Sequence, residues 1–382
     1  MRGSVRQRSP GHWAIILDAR EPTSGKRKRK WHAFWGNKRQ AQEECARLIT
    51  EQRNGTYIEP LKTTVAQFLE RWLDHIKSQV APRTHERYAE IARKHLMPML
   101  GGVILSKLKP MQISAAYSQA LATGRLDGTG GLSPRTVTHI HRVLKQTLGQ
   151  AVKWQLLSRN PSDVVDAPKV EHRTMCTYDI DESAKVLDAM RGTRMFIPTL
   201  LALLCGLRRG EIAALRWRSV DLVRAQLGVL ESAEQTRAGI RYKEPKSGRS
   251  RTIALPSIVL EDLRAHRIEQ AREMLGLGVR VTDDSFVVCQ ADGTALQPTF
   301  ITHAWLKLIK RSGLPQLRFH DLRHAHATHL LANGVHPKVA SERLGHSRVG
   351  MTLDLYSHVL PGMQQDAAAL VDVAFRKARC GP

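Results

Sequence analysis

The sequence predicts a multidomain, mainly α protein with small β elements: an N-terminal β-ribbon plus helix, a helical bundle, and a mixed α/β domain. Three observations lead there. At 382 residues the chain exceeds one ordinary core and divides into two or three domains. Apolar residues alternate within the first sixty positions, then recur at helical spacing between Val65 and Val152. Beyond Tyr178, helical stretches flank a strand-rich middle and lead into a helical end.

Taken in order, residues 13–18 and 28–35 alternate as strands around a turn at Thr23-Ser24-Gly25. Asn37 and Gln40 have the spacing of a capping box, opening a helix with Ala41, Cys45, Leu48 and Ile49 on one face. Lys26, Arg27, Lys28, Arg29 and Lys30 form an unbroken cationic run beside Trp31 and Trp35. Such a ribbon suits a DNA groove, and it equally suits a solvated turn on a small β-domain. Residues 60–62 read as a linker. Thr64 with Gln67 caps a helix whose Val65, Phe68, Leu69, Trp72, Leu73 and Ile76 share a face. Further helices begin at Thr84, at Pro110 and at Ser133-Pro134, where an N-cap precedes proline at the first helical position. Arg83, Arg87 and Arg135, among other cations, decorate these helices, either gripping phosphates or solvating outer faces. Residues 167–173 form the next linker. Helices follow at 180–190 and 194–207, with strands at 228–231 and 252–255. The expected domains span residues 1–58, 63–165 and 174–382.

The charge balance narrows the class of partner. Lys plus Arg number 59 against 35 Asp plus Glu, a net charge of +24, which calls for a polyanion and above all nucleic acid. The sequence contains no apolar run of about 18 residues, no signal-peptide core and no lipidation motif, so a cytoplasmic protein without a membrane partner is expected. Five scattered cysteines suggest neither a disulfide framework nor a zinc knuckle.

Four polar islands in the last domain stand out. Arg208 follows an apolar helix, and Gly206 marks a point where backbone geometry or close approach matters. Taken singly, Arg208 reads as a helix-end arginine satisfying carbonyls, with Glu211 one turn on to orient it. Residues 243–251 resemble a basic hairpin tip, in which Lys246 or Lys243 could act as a general acid. His320, Arg323, His324, His326 and His329 form the densest polar cluster. Their spacing raises a metal site, but no cysteine and only scattered carboxylates lie near, so no metal is assigned. His320 and Arg323 instead share a helical face and could meet one anion. Gly345 ends a helix over Pro337–Leu344, just before His346, and Tyr356 follows ten residues later.

As a set, these groups suit phosphoryl transfer. Arginine forks bind non-bridging oxygens and stabilise charge that builds in the transition state. A phenol with an ordinary pKa near ~10 needs a neighbouring base to attack. Its phosphate ester conserves the bond energy, so no cofactor and no ATP are expected.

In order and spacing, Gly206-Leu207-Arg208-Arg209-Gly210-Glu211, His320-Asp321-Leu322-Arg323-His324, Leu344-Gly345-His346-Ser347 and Leu355-Tyr356-Ser357-His358 resemble the signature of the tyrosine recombinase (phage integrase) family. Residues 1–58 resemble that family's arm-type DNA-binding domain and 63–165 its helical core-binding domain, leaving 174–382 as the catalytic domain with a C-terminal tail. The resemblance implies that Tyr356 is the nucleophile, forming a 3′-phosphotyrosyl link and freeing a 5′-hydroxyl. It implies that Arg208, Arg323 and His346 stabilise the pentacoordinate phosphate, His320 assists proton transfer, and Lys246 is the acid. It further implies double-stranded DNA with core-type and arm-type attachment sites as partner, a homotetramer exchanging strands through a Holliday junction, and room for a DNA-bending helper and an excision factor. The segment after Pro361, including residues 367–375, would dock on a neighbouring protomer or close over its own core. Two other readings stand beside it: a type IB topoisomerase-like nicking and resealing enzyme, and a DNA-binding regulator without chemistry.

Overall fold

The computed structural model describes residues 3–20, 27–53, 62–171, 176–245, 250–350, 352–353 and short pieces between 368 and 379. Lys26, Lys246 and Tyr356 lie outside the described residues, as do the turn at 23–25 and most of the tail after Pro361. Two compact units result, Met1–His172 and Arg173–Pro382.

The first unit opens with an antiparallel sheet of β1 (Gly3–Ser9), β2 (His12–Arg20) and β3 (Arg27–Trp35), in that spatial order, followed by α1 (Lys38–Arg53). Alternation sends Ile15 and Leu17 inward to pack with Cys45 and Leu48 of α1, with Val5 and Phe34 at the margin. The expected capping box is made: the Gln40 amide donates to Asn37 Oδ1 at 2.9 Å, and the Asn37 amide to Gln40 Oε1 at 3.0 Å. The two-stranded ribbon expected from sequence has a third strand. β1 escaped detection because Val5 is the one apolar residue in Gly-Ser-Val-Arg-Gln-Arg-Ser, so alternation has almost nothing to display.

The rest of this unit is a bundle of α2 (Val65–Ile76), α3 (Pro82–Ile91), α4 (Met97–Leu100), α5 (Pro110–Thr123) and α6 (Pro134–Lys153), with one π-type turn at Ala92–Leu96. Thr64 and Gln67 form the predicted reciprocal cap, and all six apolar residues predicted for α2 are buried. α3 begins at Pro82 rather than Thr84, because proline at the first helical position has no amide to leave unsatisfied. Trp72 stacks on Tyr88 with centroids 5.7 Å apart, over a core that includes Phe68, Leu96, Ile113, Ile140 and Leu144.

In the second unit come α7 (Ile180–Met190), α8 (Phe196–Leu204), α9 (Arg209–Ala214), β4 (Val220–Asp221), β5 (Gln226–Val229), β6 (Ser232–Thr236), β7 (Gly239–Lys243), β8 (Arg251–Ala254), α10 (Ser257–Gly276), α11 (Pro298–Arg311), α12 (Asp321–Ala332) and α13 (Pro337–Leu344). β4, β5 and β8 form one antiparallel sheet, and β6 pairs with β7 as a separate ribbon. α8 is apolar all round and lies in the core with Trp217 and Trp305. The strand-rich middle expected from sequence is present with five strands, and the 20-residue α10 follows β8 almost at once. Only Val259, Leu263, Gln270 and Met274 of α10 are buried, too sparse a stripe to announce a helix, and Gln270 is polar because it accepts from Trp217 Nε1 at 2.7 Å.

Candidate active site

The site is built around the carbonyl end of α13. Gly345 closes that helix with φ of 64°, a left-handed conformation that suits glycine. Three consecutive carbonyls there each accept from a different arginine. Arg251 Nε reaches the Arg343 oxygen at 2.8 Å, Arg323 Nη2 the Leu344 oxygen at 2.5 Å, and Arg208 Nη2 the Gly345 oxygen at 2.8 Å. The negative end of the helix dipole offsets some of the mutual repulsion of these guanidinium groups.

Arg323, on the first turn of α12, is almost fully buried, and its Nη1 also donates to the Gly206 oxygen at 2.5 Å. Gly206 has a φ of 67°, and a Cβ there would lie 2.7 Å from both His326 and Leu344, so backbone conformation and close approach both require glycine. Burial, then the charge of Arg208, pushes Arg323 down to about 9, which leaves it charged at neutral pH. Arg208 is the N-cap of α9; its amide donates to Glu211 Oε2 at 2.9 Å and its Nη1 to Glu211 Oε1 at 2.8 Å. Glu211 thus orients the guanidinium, as its spacing predicted.

His346 follows directly, its Nδ1 2.8 Å from Thr352 Oγ1. Burial, then the charges of Arg323 and Arg208, takes this imidazole down to about 4, so it is neutral at pH 7. His320 caps α12, its ring edge-on to His324 at 4.9 Å. It too is shifted down, by ring enclosure first and then by His324 and Arg323. Arg208, Arg323, His320 and His346 therefore form one electrostatic site. Neutral imidazoles beside fixed guanidinium groups can move protons where an anionic oxygen is bound.

The remaining histidines of the α12 cluster have separate partners. His329 bonds the Tyr178 backbone oxygen at 2.9 Å, while His326 accepts from Arg343 Nε at 3.2 Å and also bonds the Leu203 backbone. Burial and Arg343 push His326 down to about 3. The unfolded chain therefore takes up a proton near 6.5 that the folded one refuses, and stability falls as pH drops from 6.5 toward 3. At pH 5 this one group is expected to cost about 2 kcal/mol relative to pH 7. Urea denaturation at the two pH values reads the loss, and His326→Gln should flatten the slope.

Lys243 Nζ is paired with Glu234 across the β6–β7 ribbon, while Lys246, the other candidate acid, lies outside the described residues. Of the N-terminal cationic run, Arg27, Lys28, Arg29 and Lys30 lie on β3, and Arg29 is exposed. The pairing register puts Arg6, Trp31 and Trp35 on the sheet face away from α1, with Arg8 5.3 Å above the Trp31 ring. In the bundle, Arg83 pairs with Glu86 at 3.0 Å and Arg87 with Glu90 at 2.9 Å, while Arg135 is exposed.

Sequence reasoning missed Arg251, which it left within a basic hairpin tip. A signal was present: in alternating β8 it stands two residues before the buried Ile253, hence on the inward face. It also missed the pairing of Arg343 with His326.

Convergent guanidinium groups beside neutral imidazoles, in an α/β unit that follows a basic helical bundle, define a class of enzyme that works on phosphodiesters. Two family models match the chain in tandem: the phage integrase N-terminal SAM-like domain over residues 64–121, and the phage integrase family over residues 176–362. The chain belongs to the phage integrase family, the tyrosine recombinases. A tyrosine recombinase XerC-like protein of Caldanaerobacter subterraneus subsp. tengcongensis is 28% identical, over 95% of this chain and 96% of the relative. The Tn1549 transposon integrase, solved with a circular intermediate DNA, matches with a TM-score of 0.68 at 19% identity, over 81% of this chain and 99% of that one. Lambda integrase, solved as a tetramer bound to a Holliday junction, matches with a TM-score of 0.58 at 19% identity, over 90% and 95%. At such identity the two structural likenesses show a shared fold.

Proposed function

We propose that this protein is a site-specific DNA recombinase that integrates or excises a mobile element. Tyr356 attacks the scissile phosphate, giving a 3′-phosphotyrosyl link and a free 5′-hydroxyl. Arg208, Arg323 and His346 hold the non-bridging oxygens, His320 assists proton transfer, and Lys246 protonates the leaving oxygen. Lys243 is the weaker candidate for that acid, since its ammonium is engaged by Glu234. The observation that carries the reading is the seating of Arg323 and Arg208, distant in sequence, on the neighbouring carbonyls of Leu344 and Gly345, directly before His346.

The chain divides functionally into an arm-type DNA-binding domain (1–58), a core-binding domain (63–165) and a catalytic domain (174–382). Exposed Trp31 and Trp35 with Arg6 and Arg8 form a basic, aromatic sheet face suited to a groove, and the pairing register adds Arg29 to it. Arg83, Arg87 and Arg135 meet the core-type site. The carboxylates now paired with Arg83 and Arg87 do not oppose this, because an exposed ion pair is worth about 1 kcal/mol or less and yields to phosphate. The lambda tetramer on a Holliday junction supports a homotetramer acting in the same way. A DNA-bending helper and an excision factor belong to the same scheme, and a bacterial cytoplasm is its setting.

The test uses duplexes selected from a random pool by their binding to the protein. Two such duplexes, incubated with it, are expected to yield recombinant joints. Relaxation of supercoils without joints would instead mark a topoisomerase-like enzyme, and binding without strand cleavage a regulator.

A further inference from the structure

We propose that Arg251 is a positioning residue of the phosphate site: it holds Arg208 in its working orientation through Glu211 and ties β8 to the end of α13. The inference rests on the recombinase reading and extends it to a residue outside the catalytic set.

Glu211 is the centre of the arrangement. Its side chain is 1% exposed, and each carboxylate oxygen accepts from both arginines. Oε1 takes Arg208 Nη1 at 2.8 Å and Arg251 Nη1 at 3.0 Å; Oε2 takes the Arg208 amide at 2.9 Å and Arg251 Nη2 at 2.7 Å. The Arg251 fork is bidentate, the geometry in which guanidinium and carboxylate bind most strongly. Its Nε is committed to the Arg343 oxygen at 2.8 Å, and its side chain is 9% exposed. The Arg251 fork is turned onto the buried Glu211 carboxylate rather than onto the helix-end carbonyls beside His346, so it acts on substrate through its neighbours. Arg208, at 23% side-chain exposure, stays open to a ligand.

Charge gives the arrangement its consequence. An Arg208–Glu211 pair alone would be neutral, a poor receptor for a phosphodiester. With Arg251 sharing the carboxylate, the group of three carries one net positive charge, and that charge sits on the exposed member. Burial alone would raise the Glu211 carboxyl, but the hydrogen bond and charge of Arg251, then Arg208, outweigh it and hold the group ionised. The fit is also steric: a Cβ on Gly345 would lie 2.9 Å from Arg251 Nη1, so the αL glycine and the arginine occupy adjoining space. Arg251 therefore couples the start of β8 to the helix end that precedes His346.

The test compares the wild type with Arg251→Met, Arg251→Lys, Glu211→Gln and the Arg251→Met/Glu211→Gln pair. It measures single-turnover cleavage of a nicked duplex, DNA dissociation constants and thermal melting. Arg251→Met should slow cleavage about 10- to 100-fold, less than loss of a direct oxyanion donor, with DNA binding changed no more than about twofold. Adding Glu211→Gln should restore much of the rate, since the carboxylate that now neutralises Arg208 is gone. A purely structural role would instead lower the melting temperature and weaken DNA binding in step with cleavage. Wild-type cleavage by Arg251→Met, or a slow variant that Glu211→Gln fails to rescue, would overturn the inference. If Arg251→Met does not fold, Arg251→Lys carries the test: it keeps the charge without the fork, and slowed cleavage at unchanged affinity is the expected result, wild-type cleavage the contrary one. Absence of any adduct from the wild type would strike the recombinase reading itself, a separate result from an adduct formed equally well by every variant.

Discussion

Arg323→Ala is expected to lower the single-turnover cleavage rate by about 10²- to 10³-fold or more, on the order of 3–4 kcal/mol of transition-state stabilisation. The size follows from burial. Arg323 donates from both terminal nitrogens to main-chain carbonyls and sits in a largely dehydrated site, where a fixed positive charge interacts far more strongly with a pentacoordinate phosphate than it would in water. Orientation is settled before substrate arrives, so no reorganisation is required at the moment of reaction. Overall DNA affinity should change little, because it is spread over many phosphate contacts. Cleavage and binding measured on the same preparation check this, and an unchanged cleavage rate would remove Arg323 from the catalytic set. Melting of the variant needs measuring alongside: the substitution strips a donor from the Gly206 and Leu344 oxygens while also relieving the burial of a charge.

Tyr356→Phe has the larger expected effect: complete loss of covalent DNA attachment with sequence-specific binding retained. The substitution removes a single oxygen, too little to alter affinity set by an extended basic surface, but it is the oxygen that would form the phosphoester. Denaturing electrophoresis of protein incubated with a nicked duplex gives the readout, beside a titration of binding. An adduct from the variant at wild-type yield would assign the nucleophile elsewhere.

Sequence showed most where a single local rule decides the structure. The Thr64–Gln67 cap and the buried face of α2 could be read directly, as could Gly345 ending α13, since each depends on neighbours within one or two turns. β1 could not, because its single inward apolar residue leaves no period, nor could α10, whose core contact includes the polar Gln270. At the site, residue types and order pointed to Arg208, His320, Arg323 and His346, which the fold brings into one electrostatic neighbourhood. What holds them there was hidden. Arg251 reaches Glu211 from 40 positions away and His326 meets Arg343 across 17, and long-range pairings of this kind are written in the tertiary packing alone. A carbonyl that accepts from an arginine is hidden too, because every residue has one and only the fold selects it.

The most direct measurement is the identity of the covalent bond. The protein is incubated with a suicide duplex whose nick lets the freed 5′-hydroxyl strand diffuse away, then digested, and the peptide left on the DNA is mapped by mass spectrometry. The account predicts the peptide containing Tyr356, esterified to a 3′-phosphate, with a free 5′-hydroxyl on the departing strand. Attachment through another residue or to a 5′-phosphate, or no adduct at all, would contradict it.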